Sequence, residues 1–180
     1  MRALVGFGLS LALAMPAMAQ VEEDFATANR IFGQTSAVTV LADLEGEWLP
    51  LSLLANLQGA EPAPGIIDGL MERFCGSQPS RGAVLSATGD AGFTLEMPSG
   101  RDTLSYRFDW VTGNSFARSV DPDALFARLG IDSLEGDQGA EARAAALAQN
   151  NQSVGVYRVS PDVLVVAAEP STDIYGRCPR

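Results

Sequence analysis

Thr103-Leu104-Ser105-Tyr106-Arg107-Phe108-Asp109-Trp110 is the stretch on which the fold turns. Leu104, Tyr106, Phe108 and Trp110 alternate without a break with Thr103, Ser105, Arg107 and Asp109. A strand sends successive side chains to opposite faces, so a period of two reads as one half-buried β-strand. Its apolar face carries three large aromatics and must be covered by other apolar groups. The segment is therefore the predicted central strand of a sheet.

Outward from it, turn residues separate further apolar segments. Gly89-Asp90-Ala91-Gly92 divides 83–88 from 93–97, Pro98-Ser99-Gly100-Arg101-Asp102 leads into the central strand, and Thr112-Gly113-Asn114 leads out to 115–120. These residues tolerate positive φ or restrict the chain to turns, and loops this short force antiparallel neighbours. A meander over 83–120 follows. A last hairpin is expected over 153–159 and 163–168 around Ser160-Pro161-Asp162, and 37–41 reads as a short apolar strand. The tail, 169–180, shows no clear period and reads as irregular.

Helical spacing marks four other segments. In 21–32 an acidic start, Glu22-Glu23-Asp24, and a closing Gly33 frame Phe25, Ala28 and Phe32. From Pro64 to about Cys75, Ile66, Ile67, Leu70, Met71 and Phe74 share one face. Asp121 and Pro122 are cap and first-turn residues for a helix that Gly130 stops, and 140–149 is Ala-rich. The expected fold class is α+β. It combines an antiparallel sheet of six to eight strands (meander 83–120 plus hairpin 153–168) with three or four helices over one face and one disulfide.

Gly46-Glu47-Trp48 resembles the first strand of lipocalin-like barrels, in which the tryptophan closes the barrel floor. That resemblance implies an alternative, a lipocalin-like β-barrel that carries a small apolar ligand. Pro50 and the Leu-rich 51–57 stand where a long strand would run in that family.

Residues 1–19 have the pattern of a secretory leader: Arg2, an apolar run from Ala3 to Ala14, Pro16, and Ala17-Met18-Ala19 before the expected cleavage. The remaining 20–180 suits one domain. The apolar run is too short to span a bilayer, and the first cysteine, Cys75, is too far downstream for a lipid anchor. Export to an oxidising compartment makes a Cys75–Cys178 disulfide the expected state of the two cysteines. A periplasmic or secreted location follows from both observations.

The chain carries 22 acidic and 12 basic residues, a net charge of −10, which becomes −11 when a leader whose only charge is Arg2 is removed. Nucleic acid and anionic membrane are poor partners for such a surface. Every basic residue is Arg, and there is no His. Ser-His-Asp and Cys-His catalysis, His-ligated zinc and haem, a lysine Schiff base and the P-loop lysine are all excluded. No cofactor or metal is expected. Asp132, Glu135 and Asp137 supply hard oxygen ligands but lack the spacing of a calcium loop, so a solvated linker is the expected reading.

Carboxylates remain as possible acid–base groups, with Asp90, Glu96, Asp102 and Asp109 on or beside the meander. No spacing pairs two of them around a cleft, and a carboxylate-dependent hydrolase is the third-ranked function. Ser105, Arg107 and Asp109 share the polar face of the central strand, so a pocket there would read anions through Arg107; an open face would make Arg107–Asp109 a solvated ion pair. Trp48 is the other candidate binding residue. The expected function is a non-enzymatic binding or interaction module of a bacterial envelope.

Overall fold

The computed structural model describes residues 17–33, 36–55, 61–77, 80–99 and 102–179. Its elements run α1 (Ala17–Phe32), α2 (Ala37–Leu41), β1 (Gly46–Pro50), α3 (Leu51–Leu54), α4 (Ile66–Phe74), β2 (Ala83–Ala87), β3 (Gly92–Ser99), β4 (Asp102–Thr112), β5 (Ser115–Val120), α5 (Pro122–Leu129), α6 (Gly136–Asn150), β6 (Gln152–Ser160), β7 (Val163–Ala168) and β8 (Ser171–Arg177). The eight strands pair antiparallel in chain order, and β8 pairs with β1 to close a barrel. The lipocalin-like alternative fits this architecture. An open sheet with helices over one apolar face does not form.

The reason lies in the central strand. Its apolar face meets the apolar faces of the other strands rather than a helical layer: Phe93 stacks on Phe108 with ring centroids 4.4 Å apart, and Phe116 meets Phe93 edge-on at 5.7 Å. Trp48, Leu85, Leu95, Val154, Val156 and Leu164 complete that interior. Curling the sheet buries one face and removes the unpaired edges that an open sheet would expose. The helices then occupy the ends and one outer wall. Leu125 of α5 and Ala146 of α6 pack on Leu104 and Val120, whereas α3 and α4 form a separate outer cluster with Leu49 and Cys178.

Two further sequence expectations, on the segments 37–41 and 169–180, are corrected. Segment 37–41 is helical, not extended: the Ser36 side chain accepts from the Val38 amide at 3.2 Å as an N-cap, and Ala37, Val40 and Leu41 bury against the barrel core. Burial and capping together override the β preference of its two valines. The tail is not irregular either, because 171–177 is the strand that closes the barrel. Its inward positions are Asp173, Tyr175 and Arg177, so the usual apolar alternation is disguised by polar residues on the buried face.

Other elements follow their local chemistry. Asp121 caps α5 through a 2.8 Å bond from the Ala124 amide, and Gly130, at φ 67°, takes the left-handed conformation that ends it. Helix α4 starts at Ile66 after Gly65 rather than at Pro64, and α6 starts at Gly136 rather than at 140. Cys75 and Cys178 are joined, with Cα atoms 5.4 Å apart, so α4 is tied to the residue just after β8. Where α3 packs on β8, a Cβ at Gly176 would lie 2.7 Å from Leu51 Cδ1, so a larger residue there would make the Leu51 side chain shift. Of the expected leader, 1–16 lies outside the described residues. Among those described, no helix is long and apolar enough to cross a membrane.

Candidate functional site

Residues directly paired across antiparallel strands share a face, so the register separates the lumen from the outer wall. At the end where β1 begins and β8 finishes, the lumen is plugged. Trp48 is 0% exposed, donates its indole N–H to the Leu44 carbonyl at 2.9 Å, and packs in one cluster with Val40 and Leu41 of α2. The guanidinium carbons of Arg158 and Arg177 lie 4.8 and 4.7 Å from its ring centroid, within cation–π range. Burial lowers the pKa of Arg158, and the charge of Arg177 acts in the same direction. Arg177 is balanced by Asp43 at 3.6 Å and by Asp162 at 3.9 Å.

The opposite end, where β6 and β8 begin and β7 finishes, is different. Arg118 pairs with the buried Phe108, Tyr106 with Leu95, Asp173 with Val166 and Tyr175 with Leu164, so all four polar side chains face the lumen. Tyr106, Arg118 and Asp173 are nevertheless partly exposed, which means that solvent reaches this end of the lumen. Helix α6 ends over the β5 side of the mouth. Arg118 donates to the Asn150 carbonyl at 2.9 Å and the Gln149 carbonyl at 2.7 Å, placing a cation at the negative end of the helix. The same guanidinium lies 5.3 Å from the centroid of the Tyr106 ring, whose hydroxyl is 2.9 Å from Asn150 Oδ1.

On the opposite wall, no hydrogen bond or ion pair to the carboxylate of Asp173 or the hydroxyl of Tyr175 is found among the described residues. Desolvation raises the pKa of Asp173 despite the lowering influence of Arg118. It also raises that of Tyr175, with Asp173 and Tyr106 adding to the shift. Beside this mouth, a rim pocket of about 550 Å³ is lined by residues that include Gln152, Ala168 and Ser171.

The residues singled out from sequence are scattered. Arg107 and Asp109 lie on the outer wall and pair with each other, Arg107 Nε standing 3.0 and 2.9 Å from the two carboxylate oxygens at side-chain exposures of 62% and 49%. Ser105 shares that wall, whereas Trp48 is inside the plugged end. Among the carboxylates, Glu96 is exposed on β3 and Asp90 lies in the β2–β3 turn; the side chain of Asp102 lies outside the described residues. Asp132, Glu135 and Asp137 fall at the α5–α6 junction, and among the described residues no group of three or more acidic, Cys or His side chains is arranged to hold a metal ion. The residues missed were Arg118, Asp173 and Tyr175. Their one sequence signature is a polar or phenolic side chain in phase with an apolar strand face.

A second surface stands at the N-terminal side. In α1, Val21, Phe25, Ala28 and Phe32 recur at helical spacing, and Val21, Phe25 and Phe32 are 67%, 71% and 64% exposed. The helix is moored only near its C-terminal end by contacts found among the described residues. Arg30 Nη1 donates to the Val159 carbonyl at 2.8 Å, Asn114 Nδ2 to the Ile31 carbonyl at 3.3 Å, and Phe32 meets Tyr157 edge-on at 5.3 Å. Comparison with family models, curated proteins and solved structures finds no match for this chain.

Proposed function

We propose that this chain is an exported, non-enzymatic interaction module of a bacterial envelope, a rigid barrel that presents α1 to a protein partner. The carrying observation is the apolar stripe of Val21, Phe25 and Phe32, which the described part of the chain leaves open to water. Contiguous exposed apolar side chains rimmed by charge, here Glu22, Glu23 and Asp24, are a common mark of protein docking. Export rests on the leader pattern together with the disulfide. A lipocalin-like carrier of an apolar molecule is less well supported, since the aromatic layer of Phe93, Phe108 and Phe116 and the Trp48 plug occupy much of the lumen.

A photo-crosslinking side chain at position 25 tests the reading in extracts of the periplasm. A discrete adduct is expected there, none with the same reporter at position 107 on the outer wall, and loss of the adduct in Val21→Glu. Absence of any adduct at position 25, together with release of a stoichiometric apolar molecule on denaturation, refutes it in favour of the carrier.

A further inference from the structure

The barrel mouth has a feature that a docking helix does not use. A carboxylate facing the inside of a barrel is costly unless something donates to it, and Asp173 lacks such a donor among the described residues. The nearby cation does not fill this role. Arg118 directs Nε and Nη2 to the Asn150 and Gln149 carbonyls, at the negative end of α6. Among the described residues Asp173 therefore has no direct donor, and Arg118 acts on it only through space.

We propose that the mouth binds a small organic amine, its ammonium held by the Asp173 carboxylate and the Tyr175 hydroxyl and its compact apolar body against Ala168 and Met97. Asp173 and Tyr175 stand two residues apart on β8 and face the same way, so both can accept from one ammonium. Ala168 and Met97 are partly buried and pack against the barrel core from β7 and β3, strands on opposite sides of the lumen. The acidic molecule, at a net −10, attracts cations at long range, and at the mouth the Asp173 carboxylate holds the ammonium against the charges of Arg118 and Arg128, both of which act on Tyr106. Tyr175 is 5% exposed, and its hydroxyl, which has no partner among the described residues, is not one of the fully buried unpaired polar atoms, so it stays accessible to a ligand at the mouth. The desolvation that raises the pKa of Asp173 is the cost that an ammonium would relieve.

The test is calorimetric titration of the disulfide-bonded protein with 2-phenylethylamine, 2-phenylethanol and phenylacetate at neutral pH. Saturable binding of the amine alone is expected. It should weaken about tenfold or more in Asp173→Asn, from loss of a charge-assisted bond, and less in Tyr175→Phe. Asp109→Asn, on the outer wall, should bind as the parent does. Each variant is checked for an unchanged cooperative melt, and Asp173→Glu, which keeps the charge, should recover part of any loss. Amine binding that survives Asp173→Asn, equal binding of the alcohol, preferential binding of phenylacetate, or no binding of the amine by the parent would each overturn the proposal. None of these outcomes bears on α1.

Discussion

Replacing Trp48 tests whether the plug holds the barrel together. The ring is completely buried, its N–H is bonded to the Leu44 carbonyl, and two guanidinium groups lie on it. Truncation to Ala removes a side chain of roughly 200 Å² and leaves a cavity, a change that costs about 3–5 kcal/mol in tightly packed interiors. Arg158 and Arg177 lose their aromatic support at the same time, which places the expected cost at the upper end of that range. Trp48→Phe keeps most of the packing but orphans the carbonyl of Leu44, a residue 1% exposed, for about 1–3 kcal/mol. Urea unfolding with the disulfide intact measures both, and Trp110, the only other tryptophan, remains as the fluorescence reporter. The expected order is parent, then Phe, then Ala, at constant m-value. A Trp48→Ala loss below about 1 kcal/mol would refute the plug, since a surface substitution costs no more than about half that.

Two further outcomes follow from the lumen and the staple. Because the folded state raises the pKa of Asp173, it binds that proton more tightly than the unfolded chain does; stability should therefore fall as pH rises from the ordinary carboxylate range through the folded value. Asp173→Asn should remove that slope and be more stable than the parent at pH 7, and a less stable variant in thermal melts at pH 7 would contradict the desolvation argument. Reducing Cys75–Cys178, which closes a sequence separation of 103 residues, should cost about 4–5 kcal/mol in the chain-entropy account. Urea midpoints with and without reductant decide this, and a loss under about 1 kcal/mol would show that α3 and α4 hold the end of β8 without it.

The legibility of the fold in the sequence varied with the partner that each segment meets. Strand β4 was clear because its alternation is complete, and β5 because its turn residues are sharp. Closure could not be read, since the strand that achieves it carries Asp173, Tyr175 and Arg177 on its inner face and so presents no apolar rhythm. Helix α2 was misread because its valines favour strands while its cap and burial are tertiary facts. Gly46-Glu47-Trp48 did carry the barrel alternative, although nothing local indicated that guanidinium groups from β6 and β8 would meet on that ring. The mouth was hidden for the same reason as β8: a polar residue in phase with core positions looks, from sequence, like a weak strand.

Pairing of β8 with β1 also sets an order of events during synthesis. Every other strand pair joins neighbours along the chain, but Trp48 must wait for Arg177, which emerges after all the intervening elements. Until then β1 and β7 are open edges, able to recruit strands from other chains. Closure is the long-range step, and contacts of high sequence separation form slowly. The nascent protein is thus most vulnerable to aggregation just before its last strand is delivered, and a holdase that shields β1 and β7 would matter more to its yield than any catalyst of the earlier hairpins.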